Sequence, residues 1–192
     1  LTKFIYWIKN NINGLKITEL SAQKKLEQFR KKNKNYISPS FNTISASGPN
    51  GAMPHYKVNN KTNRKIKIND IYLCDSGGQY HYGTTDVTRT ICFCKQSQRI
   101  KNIFTKVLKG HIGVATYKLK KNTTGKQLDI VARSALKKSG LDYAHGTGHG
   151  VGYFLNVHEG PQAISKINNI QLKEGMILSN EPGYYEFNKF GI

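Results

Sequence analysis

His149, in the segment His145-Gly146-Thr147-Gly148-His149-Gly150, is followed thirty-two residues later by Glu181, in Asn180-Glu181-Pro182-Gly183. Upstream, Asp75 and Asp86 stand eleven residues apart. Carboxylates and an imidazole are the donors that Mn²⁺, Co²⁺, Fe²⁺ or Zn²⁺ accept, so these four residues outline a metal site. Each has a plainer reading. An Asp beside a Gly-rich turn is commonly a turn former, and a lone His commonly a hydrogen-bonded structural residue. Against this, Asp86 sits among Thr84, Thr85 and Thr88 at a strand start, where Asp is disfavoured. Gly146, Gly148 and Gly150 argue against the helix that a metalloprotease His-x-x-x-His pair requires. Alternating glycines suit an extended segment lying close to another backbone or a ligand.

The elements that must position these residues read as follows. Phe4, Ile5, Ile8 and Ile12, with Trp7 beside them, recur at helical spacing up to Asn13-Gly14. Thr18 can cap a second helix, with Glu19 in its first turn and Leu20, Leu26 and Phe29 on its inner side. A loop rich in Ser, Asn, Gly and Pro is expected from Tyr36 to His55. Ile71-Tyr72-Leu73-Cys74 reads as a buried strand ending at Asp75, and Ser76-Gly77-Gly78 turns the chain. Val87 to Phe93 alternates with strand periodicity. A hairpin between the two strands would set Asp75 and Asp86 on neighbouring strands, where one carboxylate could bridge two ions and the other chelate one. Ile100, Ile103, Phe104, Val107, Leu108 and Ile112 predict an amphipathic helix, and Leu128 to Leu136 another, stopped by Gly140. Ile177-Leu178-Ser179-Asn180 is expected to be a last short strand leading into Glu181. Mixed strands and helices joined by hairpins predict an α+β fold, and no internal repeat is visible.

With 192 residues the chain suits one well-packed domain. Its net charge of +19 raises the question of nucleic acid. Yet 25 Lys stand against 5 Arg, and the lysines are scattered. Phosphate and guanine recognition favours Arg, so a solvated basic surface without specific nucleic-acid binding is expected. Cys74, Cys92 and Cys94 lack paired zinc-finger spacing. Cys92 and Cys94 would share one face of a strand as buried free thiols, which fits a reduced, cytoplasmic setting. No apolar run approaches membrane-spanning length and no signal peptide opens the chain. The sequence starts at Leu1, so a preceding N-terminal portion is expected.

Five ordered motifs carry a resemblance: Ser47-Gly48-Pro49-Asn50-Gly51-Ala52 with His55-Tyr56; Asp75-Ser76-Gly77-Gly78-Gln79-Tyr80; Gly83 to Thr90; His145 to Pro161; and Glu181-Pro182-Gly183-Tyr184-Tyr185. Together they resemble aminopeptidase P, the Xaa-Pro branch of peptidase family M24 in the creatinase and methionine aminopeptidase superfamily. Asn156 to Pro161 after a long glycine loop resembles the larger, cytosolic type. The resemblance spans nearly the whole chain and implies a pita-bread fold for residues 1–192.

Carried over by position, the resemblance implies that Asp75 binds one metal, Asp86 bridges both, and His149 and Glu181 bind the other. It implies that His55 and His158 hold the scissile carbonyl or stabilise the tetrahedral intermediate. His145 would line the proline pocket and Tyr185 support the ligand shell. The implied reaction is removal of the N-terminal residue from peptides with proline in second position, by hydroxide attack at a dinuclear site. Mn²⁺ is the expected ion, with Co²⁺ or Zn²⁺ possible, and two ions serve each full-length subunit. A homodimer is implied for the whole protein, with a peptide substrate as its partner. The family's second bridging Glu would fall beyond Ile192, so the pita-bread domain is expected to be truncated here, without the N-terminal creatinase-like domains. That leaves one three-ligand metal position within these residues, at most one tightly held ion, and little turnover by them alone. Two alternatives stay open: a methionine aminopeptidase, and a peptidase-like binding module that has lost catalysis or a truncated gene product.

Overall fold

Phe4 and Ile8, one helical turn apart, are both fully buried on the inner face of α1 (Thr2–Asn11). A computed structural model describes all 192 residues. Thr18 caps α2 (Glu19–Lys31) as expected: its side chain accepts from the Ser21 amide while the Ser21 hydroxyl accepts from the Thr18 amide. Ala22 and Leu26 then meet Phe4 and Ile8 in one apolar cluster with Ile17, Ile66, Tyr72, Cys74 and Ile91.

The chain packs as two compact units, Leu1–Gln96 with Tyr185–Ile192, and Ser97–Tyr184. In the first, β2 (Ile44–Ser47), β3 (Ile71–Ser76) and β6 (Val87–Cys92) form an antiparallel sheet with β3 at its centre. A second sheet joins β1 (Tyr36–Pro39), β4 (Gly78–Tyr80) and β5 (Gly83–Thr84). The stretch expected to be a loop from Tyr36 to His55 therefore holds two strands and a 3-10 turn, Gly48–Ala52. Its Ser and Pro residues are poor strand formers locally, but ladder bonds to β3 and β4 override that preference. Near the other end, β9 (Tyr185–Glu186) and β10 (Phe190–Gly191) pair as a short hairpin.

Glu19 organises the first unit beyond its place in a helix first turn. The fully buried carboxylate accepts from the Ser47 amide at 2.6 Å and the Arg64 amide at 3.1 Å. Ser47 Oγ, Asn50 Nδ2 and the Tyr56 hydroxyl also donate to it. A buried carboxylate is tolerated when donors surround it, and here it ties α2 to the turn that follows β2.

The second unit opens with α3 (Gln98–Ala115), whose N-cap Ser97 accepts from the Ile100 amide. Its apolar stripe is only partly covered: Ile103 and Val107 are buried, whereas Phe104, Leu108 and Ile112 are 40–48% exposed. Against it packs α4 (Gly125–Lys137), with Leu128, Ala132 and Leu136 inward. A Cβ on Gly110 would stand 2.1 Å from the Ala132 carbonyl oxygen, so only glycine allows this helix contact. β7 (Gly148–His149) pairs with β8 (Ala163–Ile164). The strand expected at Ile177 to Asn180 reduces to a single bridge, Gly150 to Leu178. The facing segment is rich in glycine, which weakens strand pairing, so the two are joined by this bridge and by the bonds of the Ser179 and Glu181 amides.

Candidate metal centre

In the first unit, β3 and β6 set the two aspartates. The register pairs Asp75 with Thr88 and Ser76 with Val87. Asp86 lies immediately before β6 and two residues from Thr88, so the period of two along an extended segment puts it on the face that Asp75 shares. Both side chains are half-buried. The connecting residues form β4 and β5. The neighbouring-strand placement expected from spacing is therefore found, with Asp75 inside β3 rather than at its end.

In the second unit, the glycine-rich segment and the residues before Glu181 run antiparallel. The Glu181 amide donates to the Thr147 carbonyl at 2.8 Å, and the Ser179 amide to the His149 carbonyl at 2.8 Å. A Cβ on Gly148 would lie 2.1 Å from the Ser179 carbonyl oxygen, which is why glycine occupies that position. This approach brings His149 Nε2 to 3.0 Å from Glu181 Oε1.

The imidazole is oriented from its other side. His149 Nδ1 lies 2.8 Å from the Gly150 carbonyl, an acceptor, so Nδ1 carries the proton and Nε2 presents its lone pair unless the ring is charged. A lone pair and a carboxylate oxygen converge only around a shared cation, whether a proton or a metal. Bonds of about 2.0–2.2 Å to one ion place adjacent donors roughly 3 Å apart, so the pair fits a divalent metal. Burial pushes the Glu181 carboxyl up, but a hydrogen bond from the charged form of His149, one from the Ser179 hydroxyl, and the nearby charges of His149 and His145 outweigh it and hold its pKa below the ordinary value. The carboxylate is thus held ionised, the form that a metal would require.

His158 packs its ring against His149, centroids 4.1 Å apart, and is exposed. His145 lies half-buried beside Tyr143, ring centroids 4.9 Å apart, with Nδ1 on the Gly146 carbonyl at 2.6 Å. The second unit therefore gathers His145, His149, His158 and Glu181. In the first, His55 stands exposed just after the 3-10 turn and Tyr185 lies half-buried in β9.

Several residues around this pair escaped the reading from sequence. Ser179 Oγ accepts from the His149 amide at 2.9 Å and donates to Glu181 Oε1 at 2.5 Å. Asn180 and His111 exchange bonds, Asn180 Nδ2 to the His111 carbonyl at 2.9 Å and His111 Nδ1 to the Asn180 carbonyl at 3.0 Å. Asp129 and Arg133 are buried on α4. One signal was available: these two charges sit one helical turn apart, each next to an inward apolar residue, Leu128 or Ala132.

A family model described as Metallopeptidase family M24 matches residues 1–192. The chain is 49% identical over 197 residues to a protein named "Probable Xaa-Pro aminopeptidase P" of Paracoccidioides brasiliensis, covering 100% of this chain and 32% of that one. It is 50% identical to the protein of the same name in Laccaria bicolor, covering 100% of this chain and 30% of the relative. Among solved structures, X-prolyl aminopeptidase of Caenorhabditis elegans, described as a cytosolic enzyme with a di-nuclear active site, superposes with a TM-score of 0.94 at 42% identity. That match covers 99% of this chain and 31% of the worm enzyme. A prolidase of Thermococcus sibiricus gives a TM-score of 0.85 at 31% identity, over 100% of this chain and 51% of that one. The chain thus spans about a third of the length of the curated relatives it matches.

Proposed function

The chain belongs to metallopeptidase family M24 and has its α+β pita-bread fold; from that premise we propose that residues 1–192 are catalytic-domain residues of a metal-dependent Xaa-Pro aminopeptidase. The whole protein removes the first residue from peptides with proline in second position. The observation that carries the reading is the His149–Glu181 pair at 3.0 Å, held in register by a glycine approach no other residue permits. Near-50% identity to proteins named Xaa-Pro aminopeptidase P supports the proline specificity.

Asp75, Asp86, His149 and Glu181 are the proposed metal ligands. Mn²⁺ is the proposed ion, two per subunit of the whole protein, with Co²⁺ or Zn²⁺ as substitutes; the worm relative's di-nuclear site supports the number. Such ions, when bound, lower the pKa of a water and polarise a carbonyl. The chain's own residues do the rest. His149, its Nδ1 anchored on the Gly150 carbonyl, keeps Nε2 directed at Glu181. Exposed His158 and His55 donate hydrogen bonds to the scissile carbonyl as charge develops on its oxygen. His145 contacts the proline ring, and Tyr185 steadies the ligands. A Xaa-Pro bond lacks an amide N–H and has a ring-locked φ, so such a site relies on ring contact where other peptidases rely on that donor.

We place the whole protein in the cytoplasm, as the worm relative is described as cytosolic, and propose that it is a homodimer. No helix is long and apolar enough to cross a membrane. The test uses the whole protein stripped of metal. Restoring Mn²⁺ should restore release of the first residue from Xaa-Pro peptides, and H149A should abolish it. Equal release from Met-Ala peptides would move the assignment to a methionine aminopeptidase. Peptide binding indifferent to chelator, without hydrolysis, would favour a binding module.

A further inference from the structure

Arg133 is 1% exposed, yet its guanidinium reaches four acceptors. Nε donates to Asp129 Oδ2 at 2.8 Å, and Nη1 to Asp142 Oδ1 and the Tyr143 carbonyl, each at 2.7 Å. Nη2 donates to the His145 carbonyl at 2.6 Å. The guanidinium also lies over the Tyr143 ring, 3.9 Å from its centroid. The other oxygen of Asp129 accepts from Thr147 Oγ1 at 2.7 Å, and the same hydroxyl bonds to the Tyr143 hydroxyl. Thr147 is fully buried, and its carbonyl takes the Glu181 amide at 2.8 Å.

These contacts form one path. Two charges a turn apart on α4 hold the backbone from Tyr143 to Thr147, and Thr147 passes that position to Glu181 while flanking His149. An ordinary core helix would cover this segment with apolar side chains. A buried ion pair gains little stability over such packing, so its use here points to a demand for exact placement. Each interaction is directional, and a loop of glycines offers no side-chain packing of its own to fix its course.

We propose that Asp129, Arg133 and Thr147 are positioning residues that set the spacing of His149 and Glu181 for metal binding. The inference rests on the reading that His149 and Glu181 are ligands. Groups of this kind around a metal site commonly change its affinity by about 10- to 100-fold when removed.

The test titrates Mn²⁺ by calorimetry into the metal-stripped whole protein and its variants, alongside the melting temperature of each apo form. T147V keeps the shape and deletes the hydroxyl, T147S restores it, and R133K keeps the charge but cannot span four acceptors. The expected result is a Mn²⁺ dissociation constant raised about tenfold or more in T147V and R133K, with T147S at the wild-type value. Should T147V not fold, R133K against wild type decides the same question. A lowered apo melting temperature with unchanged Mn²⁺ affinity in these variants would overturn the inference and reduce the network to a structural one. H149A separates the two readings: loss of binding there, with T147V and R133K at wild-type affinity, sinks only the positioning role. Wild-type binding by H149A sinks the ligand assignment and the positioning role with it.

Discussion

Gly148 and Ser179 pass so closely that a Cβ on the glycine would lie 2.1 Å from the serine carbonyl oxygen. The contact joins two segments thirty-one residues apart, and it sets the register in which His149 meets Glu181.

G148A should therefore cost both stability and metal. Forcing a methyl group into backbone costs about 1–3 kcal/mol, and the segments must separate to admit it. Chemical denaturation should show that loss, and Mn²⁺ titration a weakened site. G14A is the control: its Cβ meets nothing within 4 Å, and it should stay within about 0.5 kcal/mol of wild type.

Glu19 should matter to the first unit as much as any apolar residue. Replacing it by Ala leaves the Ser47 and Arg64 amides without this acceptor. At about 1–3 kcal/mol for each unsatisfied buried group, E19A should lose about 3 kcal/mol or more in urea unfolding. E174A, on the surface, should lose less than about 0.5 kcal/mol.

Acid should release part of the Arg133 network in a defined window. Burial pushes the Asp142 carboxyl up, but hydrogen bonds from Arg133, the Tyr143 amide and Lys166 prevail, and its pKa falls from 3.8 to about 2. The folded state favours the ionised form, so this contribution is complete above pH 3.8 and fades as pH falls towards 2. The stability difference between wild type and D142N should shrink across that interval. A difference that is constant with pH would contradict the ion-paired assignment.

The three cysteines should divide by accessibility. Cys74 is fully buried in the first core, and burial pushes its thiol up to about 11. Cys92 and Cys94 are half-buried; Cys94 lies past the end of β6, so the expected pair of buried thiols on one strand face is not formed. A thiol reagent near neutral pH should modify Cys92 and Cys94 in the native protein and reach Cys74 only after denaturant is added.

Much of this was local information. The apolar period of α1, the Thr18 cap, the alternation of β6 and the Gly140 stop each depend on neighbours within a few residues, so composition and spacing predict them. The ligand candidates were legible for the same reason: Asp75 and Asp86 flank a short hairpin region, and alternating glycines around His149 have few other uses. What the chain could not disclose locally were bonds between distant partners. β1 and β2 are strands because β4 and β3 complete their ladders. Ser179 reads as an ordinary serine until His149 and Glu181 arrive on either side of it. Residue types and their order determined which chemistry this protein carries. Only the tertiary structure decided which carbonyls Arg133 would hold and how near His149 would come to Glu181, because those distances are set by closure of the chain on itself.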